Sequence, residues 1–300
     1  MKKYFISFGN GKFKNQLNRV CNEAKETGWF DGVIADTPST IKDFIDKHKD
    51  FINNNPRGFG YWIWKPFIIL DQLNKMNDGD CLFYTDAGSK ILPHRENRFN
   101  EYINILKKQP IWINGEGGQY NERQYQKISL LKKFNLENDE QFLSSSHTES
   151  GMIAVRKCKE SLSIIQKWLD LVVDDNYNLV NDELSNDKQL EGFIEHRHDQ
   201  SILNILLKTK GYEFLWYSNC YGLGPFFSSR RTDTGMREFA ADWWRAEPDY
   251  IDNITHPTRF EYLNSKIDPN WWKKQKDYDP NKMFVEDDYM HYRWKEYNHS

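Results

Sequence analysis

Residues 79–90, GDCLFYTDAGSK, constrain this chain more than any other stretch. A short apolar run, Cys81 to Thr85, feeds straight into a lone carboxylate, Asp86, and then into Ala87 and Gly88. An apolar run bounded by turn residues reads as a buried strand. In an open α/β sheet, ligands bind outside the carboxyl ends of the strands. An aspartate released there and followed by small residues is placed to hold a metal ion on a phosphate. Closing a turn is the alternative role for the same side chain.

The rest of the chain alternates strand and helix patterns. Lys3 to Phe8 reads as a strand stopped by Gly9-Asn10-Gly11, and Phe13, Leu17, Val20 and Ala24 recur at helical spacing until Gly28. Residues 32–35 read as a second strand, and Ile41, Phe44, Ile45 and His48 as a second helix. Lys65-Pro66 opens a third helix carrying Ile69, Leu73 and Met76, since proline is tolerated in a first helical turn. After the 81–85 strand come a helix with Phe99, Tyr102 and Leu106, a strand at 111–113, a polar loop at 144–149 and a strand at 151–155. Leu162, Ile165, Leu169 and Val172 mark another helix, Gln200 to Leu207 a further one, and 213–216 a strand. This alternation predicts an α/β fold with a mostly parallel central sheet and helices on both faces. Periodicity fades after Gly222. Residues 1–222 read as the core, and 223–300 as an irregular, aromatic-rich extension packed on it and completing the site.

Composition excludes several classes. Charged residues make up 28% and the net charge is −3, so nothing draws the chain as a whole to nucleic acid. Aromatic residues at 15% argue for a folded protein. The 11 tryptophans read either as packing or as platforms for sugar and base rings. Cys21, Cys81, Cys158 and Cys220 form no C-x-x-C pair, which gives no zinc or disulfide framework. No apolar run approaches the roughly 18 residues of a membrane span, and the apolar stretch behind Met1 is too short for a signal peptide. The expectation is a cytosolic chain, with no nucleic-acid partner and no integral membrane segment.

Four further constellations carry chemistry. Residues 56–66, PRGFGYWIWKP, form a glycine-punctuated loop with two cations entering a helix, and backbone N–H groups at a helix start attract anions. Lys65 offers a point charge and Arg57 a fork for phosphate oxygens, while a buried aromatic turn is the plain alternative. In residues 196–204, HRHDQSILN, Asp199 falls where a helix begins, and Gln200 and Asn204 share a face. His196 and His198 would point the same way on an extended chain, a weak zinc pattern. In Thr148-Glu149-Ser150-Gly151 a glycine opens a strand just after a carboxylate, allowing close approach of a ligand. His256 stands alone in the irregular region, where imidazole is a usual ligand beside a carboxylate.

Together these residues resemble GT-A-fold glycosyltransferases. The pattern is similar to bacterial and viral enzymes carrying GYWxWKP, GDxLxYxDAG and RHDQS, matched here by residues 60–66, 79–88 and 197–201. The order of motifs is more distantly similar to glycogenin-like transferases. The resemblance implies a Rossmann-related GT-A-like sheet and transfer of a sugar from a nucleotide-diphospho-sugar, a UDP-sugar, to a glycan or polysaccharide hydroxyl. It implies Mn²⁺ or Mg²⁺ held by Asp86 and His256. Asp199 and Glu149 would be the catalytic carboxylates. Ser7, Phe8, Gly9, Asn10, Arg57, Lys65, Tyr84, Thr85, Asp86, Gly88, Gly151 and Gln200 would line the donor, with Lys65 on the diphosphate. Gly88 stands where the second carboxylate of the metal motif belongs. That substitution leaves open a non-catalytic carbohydrate-binding protein on a degenerate transferase fold. The setting implied is the cytoplasm of a bacterium or a virus-infected host.

Overall fold

The computed structural model describes residues 1–115, 120–216, 224–228, 231–232, 235–236 and 291–293. In chain order the strands are β1 (Lys3–Phe8), β2 (Gly32–Asp36), β3 (Cys81–Thr85), β4 (Lys90–Ile91), β5 (Ile111–Gly115), β6 (Thr148–Arg156), β7 (Glu213–Trp216), β8 (Phe226–Phe227), β9 (Arg231–Thr232), β10 (Gly235–Met236) and β11 (His291–Arg293). The helices are α1 (Lys14–Glu26), α2 (Lys42–Lys47), α3 (Lys49–Asn54), α4 (Gly58–Tyr61), α5 (Trp64–Lys75), α6 (Glu96–Lys108), α7 (Glu122–Tyr125), α8 (Ile128–Lys133), α9 (Glu140–Ser144), α10 (Lys159–Val173) and α11 (His198–Lys208).

Seven strands form one sheet in the order β11-β7-β5-β6-β3-β1-β2. Five run the same way, and β6 and β11 run against them. The mostly parallel sheet expected from the alternation is therefore present, with helices on both faces. Side chains divide between those faces by strict alternation. Phe5, Cys81, Phe83 and Trp112 join one apolar cluster with α1 and α6, while Ile6, Leu82, Tyr84 and Ile113 join the other with α5, α10 and α11. Trp29, Trp64, Trp112 and Trp168 are all buried, so these four tryptophans are packing residues. Trp29 stacks on Phe99 with ring centroids 4.6 Å apart.

Three local features depart from the sequence reading. The second helix divides at His48 into α2 and α3. Residues 122–144 hold three short helices that apolar periodicity does not reveal. Two of them carry side-chain caps, Asn121 on the Gln124 N–H and Asp139 on the Phe142 N–H. Strand β6 takes in Thr148 and Glu149, which read as loop. It is also bulged: Ile153 faces Ile113 but Glu149 faces Asn114, so one step on β5 spans four on β6. A bulge of this kind re-aims side chains. Ile153 and Val155 face α10 and α11 below it, whereas Thr148 and Ser150 do so above it.

In the C-terminal extension, β8 pairs with β4, Phe226 enters the core, β11 pairs with β7, and β9 pairs with β10. Among the described residues no helix is long and apolar enough to cross a membrane.

A buried polar network fixes α11. Lys208, on its last turn, donates to Glu122, to Ser145 Oγ at 2.9 Å and to the Ser146 carbonyl at 2.6 Å. The second Glu122 oxygen accepts from Gln126 at 2.7 Å and lies 2.8 Å from His147 Nδ1. Burial alone raises the Glu122 carboxyl, but Lys208 and His147 hold it down at about 2. Removing one partner of a buried pair leaves the other charge uncompensated, so Lys208→Met is expected to cost about 3–5 kcal/mol in urea unfolding. A depressed carboxyl adds stability above its unfolded value of about 4.3 and loses it as pH falls through the folded one. The stability gap between the native chain and Glu122→Gln should therefore narrow as pH is lowered from roughly 5 toward 2.

Candidate active site

The first helical turn of α5, the end of β3, the bulge of β6 and the first turn of α11 meet at one ammonium group. Lys65 is 2% exposed. Its Nζ lies 3.0 Å from Asp199 Oδ2, 3.7 Å from Asp86 Oδ1, and 3.2 Å from both the carbonyl and the hydroxyl of Ser150. Burial favours loss of the Lys65 proton, but the carboxylates of Asp199 and Asp86 outweigh it and the net shift is upward, so the cation is kept. Expected on a diphosphate, Lys65 instead gives its three N–H groups to protein partners.

Asp199 is equally buried. Its carbonyl accepts from the Trp168 indole at 2.9 Å, and its Oδ2 accepts from Ser150 Oγ at 3.3 Å. Burial raises its carboxyl to about 6, with Lys65 pulling down and Asp86 pushing up. No side chain at Arg197 caps the start of α11, and Asp199 faces Lys65 rather than its own helix end. Gln200 Oε1 receives the Ser150 N–H at 3.5 Å. Asn204, on the same face of α11, meets Thr148 and His147.

Asp86 has a different environment, because its side chain is 45% exposed. Tyr84 donates its phenol to Asp86 Oδ1 at 2.5 Å, and the Asp86 N–H bonds the Gly151 carbonyl at 2.9 Å. Burial, then Asp86, push the Tyr84 phenol well up, so it stays a donor. A Cβ on Gly151 would lie 3.4 Å from Asp86 Oδ2, so this glycine leaves that oxygen an open flank. The Asp86 carbonyl accepts from the Ser89 N–H, which curls the chain through Gly88. Oδ2 beside the open flank fits a hard cation of the Mg²⁺ kind, which takes one or two carboxylates and completes its shell with phosphates and water. Among the described residues no third His, Cys, Asp or Glu joins Asp86 in a metal-holding group. His256 lies outside the described residues.

The carboxyl ends of β1 and β2 form the adjoining wall. Ser7 donates to the Thr85 carbonyl at 2.8 Å and pins β1 to β3. Phe8 stacks on Trp64 with centroids 4.0 Å apart. A Cβ on Gly9 would collide with the Phe13 carbonyl at 2.8 Å, so only glycine lets the chain pass over α1 there. Asn10 Oδ1 and Thr85 Oγ1 are buried without a hydrogen-bond partner among the described residues. Asp36, level with Phe8 in the sheet, was missed by a strand reading that stops at Ala35. Burial raises its carboxyl, and Thr40 donates to it at 2.9 Å.

Other expected residues are elsewhere. Arg57 forms ion pairs with Glu195 at 3.1 Å and Asp182 at 3.8 Å. Glu149 is buried on β6, and alternation turns it away from the side on which Ser150 meets Asp199. One nitrogen of each ring bonds backbone, His196 Nε2 the Leu179 carbonyl and His198 Nδ1 the Val180 carbonyl. His198 has a φ of 54°, so the extended backbone expected for this pair is absent.

The loop before α5 winds backwards. Gly58, Phe59, Gly60, Tyr61 and Trp62 all have positive φ, between 51° and 83°. A side chain at Gly58 would run into the Trp62 ring, and one at Gly60 would meet Ile52 Cγ1 at 2.8 Å. The three aromatic residues each resist this conformation by about 1–2 kcal/mol. The turn is held by the Trp64 indole on the Gly58 carbonyl at 3.0 Å, the Tyr61 hydroxyl on Asp182 at 2.8 Å, and the Tyr61 ring on His198 at 4.4 Å. Trp62 is left 5.9 Å from the Lys65 ammonium.

No protein-family model matches the chain, and no curated protein does. Solved structures do show likeness. One is a glycosyltransferase involved in the glycosylation of the major capsid of PBCV-1, with TM-score 0.36 and 11% identity over 59% of this chain and 69% of that one. Another is mouse xyloside xylosyltransferase 1 in its apo form, with TM-score 0.36 and 11% identity over 68% and 81% of the two chains.

Lys65→Met keeps the length of the side chain and removes its charge. The Asp199 carboxyl, near 6 in the native protein, should then titrate higher in ¹³C NMR. Unfolding should be easier by about 3–5 kcal/mol. An unmoved Asp199 titration would separate the two groups electrostatically.

Proposed function

We propose that this chain is a GT-A-type glycosyltransferase. It moves a sugar from a nucleotide-diphospho-sugar, a UDP-sugar, to a hydroxyl of a glycan or polysaccharide, in the cytoplasm of a bacterium or a virus-infected host. The observation that carries the reading is the pairing of two unlike carboxylates across one fixed ammonium. Asp86 is open to solvent and Asp199 is buried, both at the carboxyl end of the sheet. That division suits glycosyl transfer, in which charge leaves on a diphosphate while an oxocarbenium-like centre forms nearby.

The nucleoside lies over the ends of β1 and β2. Asn10 Oδ1 accepts from the base or ribose there, and Asp36 accepts from ribose hydroxyls. The diphosphate runs toward Asp86. Asp86 Oδ2 would hold a Mg²⁺ or Mn²⁺ ion, with His256 as its proposed second ligand; when bound, the ion supplies charge neutralisation for the departing phosphates. Gly151 keeps the flank of Asp86 clear. Lys65 keeps Asp199 and Asp86 at a fixed spacing and favours the charged form of the buried Asp199. Asp199 meets the anomeric centre. On one face of the sugar it takes the acceptor's proton, and on the other it steadies the cation. Glu149, one residue from Ser150, is turned to the other face of β6 and leaves Asp199 as the carboxylate at the anomeric centre.

Thermal-shift titration against UDP, GDP, CDP and dTDP, with and without Mn²⁺, tests the donor site. A ligand at a hundredfold excess over its Kd adds about 2.7 kcal/mol to apparent stability. The expected result is a Mn²⁺-dependent shift with UDP that Asp86→Asn abolishes and Gly151→Ala reduces. No shift with any nucleotide would remove the transferase reading. The rate of transfer should rise with pH through about 6, as Asp199 ionises. Asp199→Asn should lower the rate by about 10²–10⁴-fold and flatten that rise.

A further inference from the structure

A second cavity, of about 700 Å³, lies on the far side of the left-handed turn. Five of its nine lining residues are asparagines, two are the rings Phe51 and Tyr61, and two are the carboxylates Asp182 and Glu183. Carboxamides both donate and accept hydrogen bonds, as sugar hydroxyls do. Phe51, half-buried with one face against Tyr177, offers an apolar surface for the C–H side of a sugar ring, while Tyr61 is buried against His198 and backs the wall. Two carboxylates and no cation in the lining disfavour an anionic ligand.

The wall is built in advance of any ligand. Lys127 is fully buried and gives its three N–H groups to Asn181 O at 2.9 Å, Asn181 Oδ1 at 3.0 Å and Glu183 O at 3.2 Å. His196 and His198 hold the carbonyls of Leu179 and Val180 just before it. Tyr61, Asn176 and Tyr177 take positive φ here, and such strain in non-glycine residues collects at ligand sites. Tyr177 stacks on Phe51 with centroids 3.8 Å apart and so fixes that ring.

Packed side chains link the cavity wall to the carboxylate site. The Tyr61 ring lies against His198, the residue before Asp199, and Trp62 bridges from His198, at 5.6 Å, to Lys65. We propose that the cavity bounded by α3, the left-handed turn and residues 176–183 holds an uncharged, hydroxyl-rich oligosaccharide. In the transferase reading this oligosaccharide is the acceptor, but its binding in the cavity does not rest on that reading.

Saturation-transfer NMR of the full chain with cellotriose, maltotriose and chitotriose tests the site, with trigalacturonate as the anionic control. The variant is Asn54→Ala with Asn176→Gly. Both side chains are exposed, and glycine preserves the backbone at 176. At least one neutral trisaccharide should give saturation transfer that drops at least about fivefold in the variant, as expected when polar contacts worth about 1 kcal/mol each are removed. The thermal shift with UDP and Mn²⁺ should stay as in the native chain. Binding of none of the trisaccharides, binding unchanged in the variant, or equal binding of trigalacturonate would overturn the proposal. Loss of trisaccharide binding in the variant, together with no nucleotide shift in the native chain, would sustain the cavity and remove the transferase reading.

Discussion

An ammonium almost without water contact organises this molecule. Lys65 joins α5, the end of β3, the β6 bulge and α11. A buried cation of that kind is tolerable only with its partners in place, since desolvating it costs several kcal/mol. The requirement runs in both directions. Asp199 is buried for the same reason that Lys65 is charged, and a shift of either element would strand a charge. The geometry between Asp86 and Asp199 is therefore fixed by the fold's own electrostatics.

Helix α11 shows the same logic at both ends. Asp199, on its first turn, meets Lys65, and Lys208, on its last, meets Glu122. An acid near the amino end and a base near the carboxyl end also suit the helix dipole. Between them the helix buries Ile202, Leu203, Ile205 and Leu207. Two ion pairs about two and a half turns apart set both the rotation and the axial position of the helix, which apolar packing alone would leave looser.

The strands at 3–8, 32–35 and 81–85 were legible because each is a short apolar run closed by glycine or aspartate, whereas β4, β8, β9, β10 and β11 are two or three residues long and carry no such pattern. Asp86 was legible because it follows such a strand, and Lys65 and Asp199 because each falls where a helix begins. The meeting of all three at one point was not, because it depends on topology across some 130 residues. Lys65 was expected to face phosphate. The sequence gives no sign that Ser150 and Asp199 take up its hydrogen bonds, because β6 reads as regular and its bulge is invisible. Gly58 and Gly60 hinted at an unusual turn, yet nothing forecast that Phe59, Tyr61 and Trp62 would share its handedness. Trp168 reads as one more apolar position on α10, and only the structure shows its indole holding the Asp199 carbonyl. The helices at 122–144 escaped because each is too short for periodicity to register.

The left-handed turn at 58–62 also bears on the order in which the chain takes shape. Gly58 and Gly60 permit this turn and the Trp64 indole holds its start, but Phe59, Tyr61 and Trp62 resist it, since L-residues coil to the right. Its handedness is imposed by Phe8 under Trp64, by His198 against Tyr61, and by Asp182 on the Tyr61 hydroxyl. Those partners come from the first strand and from segments more than 120 residues later. The rim of the site therefore winds only once sheet and α11 have met. The shape of that rim is therefore set by contacts far along the chain, and changes at Phe8, Asp182 or His198 would be felt there.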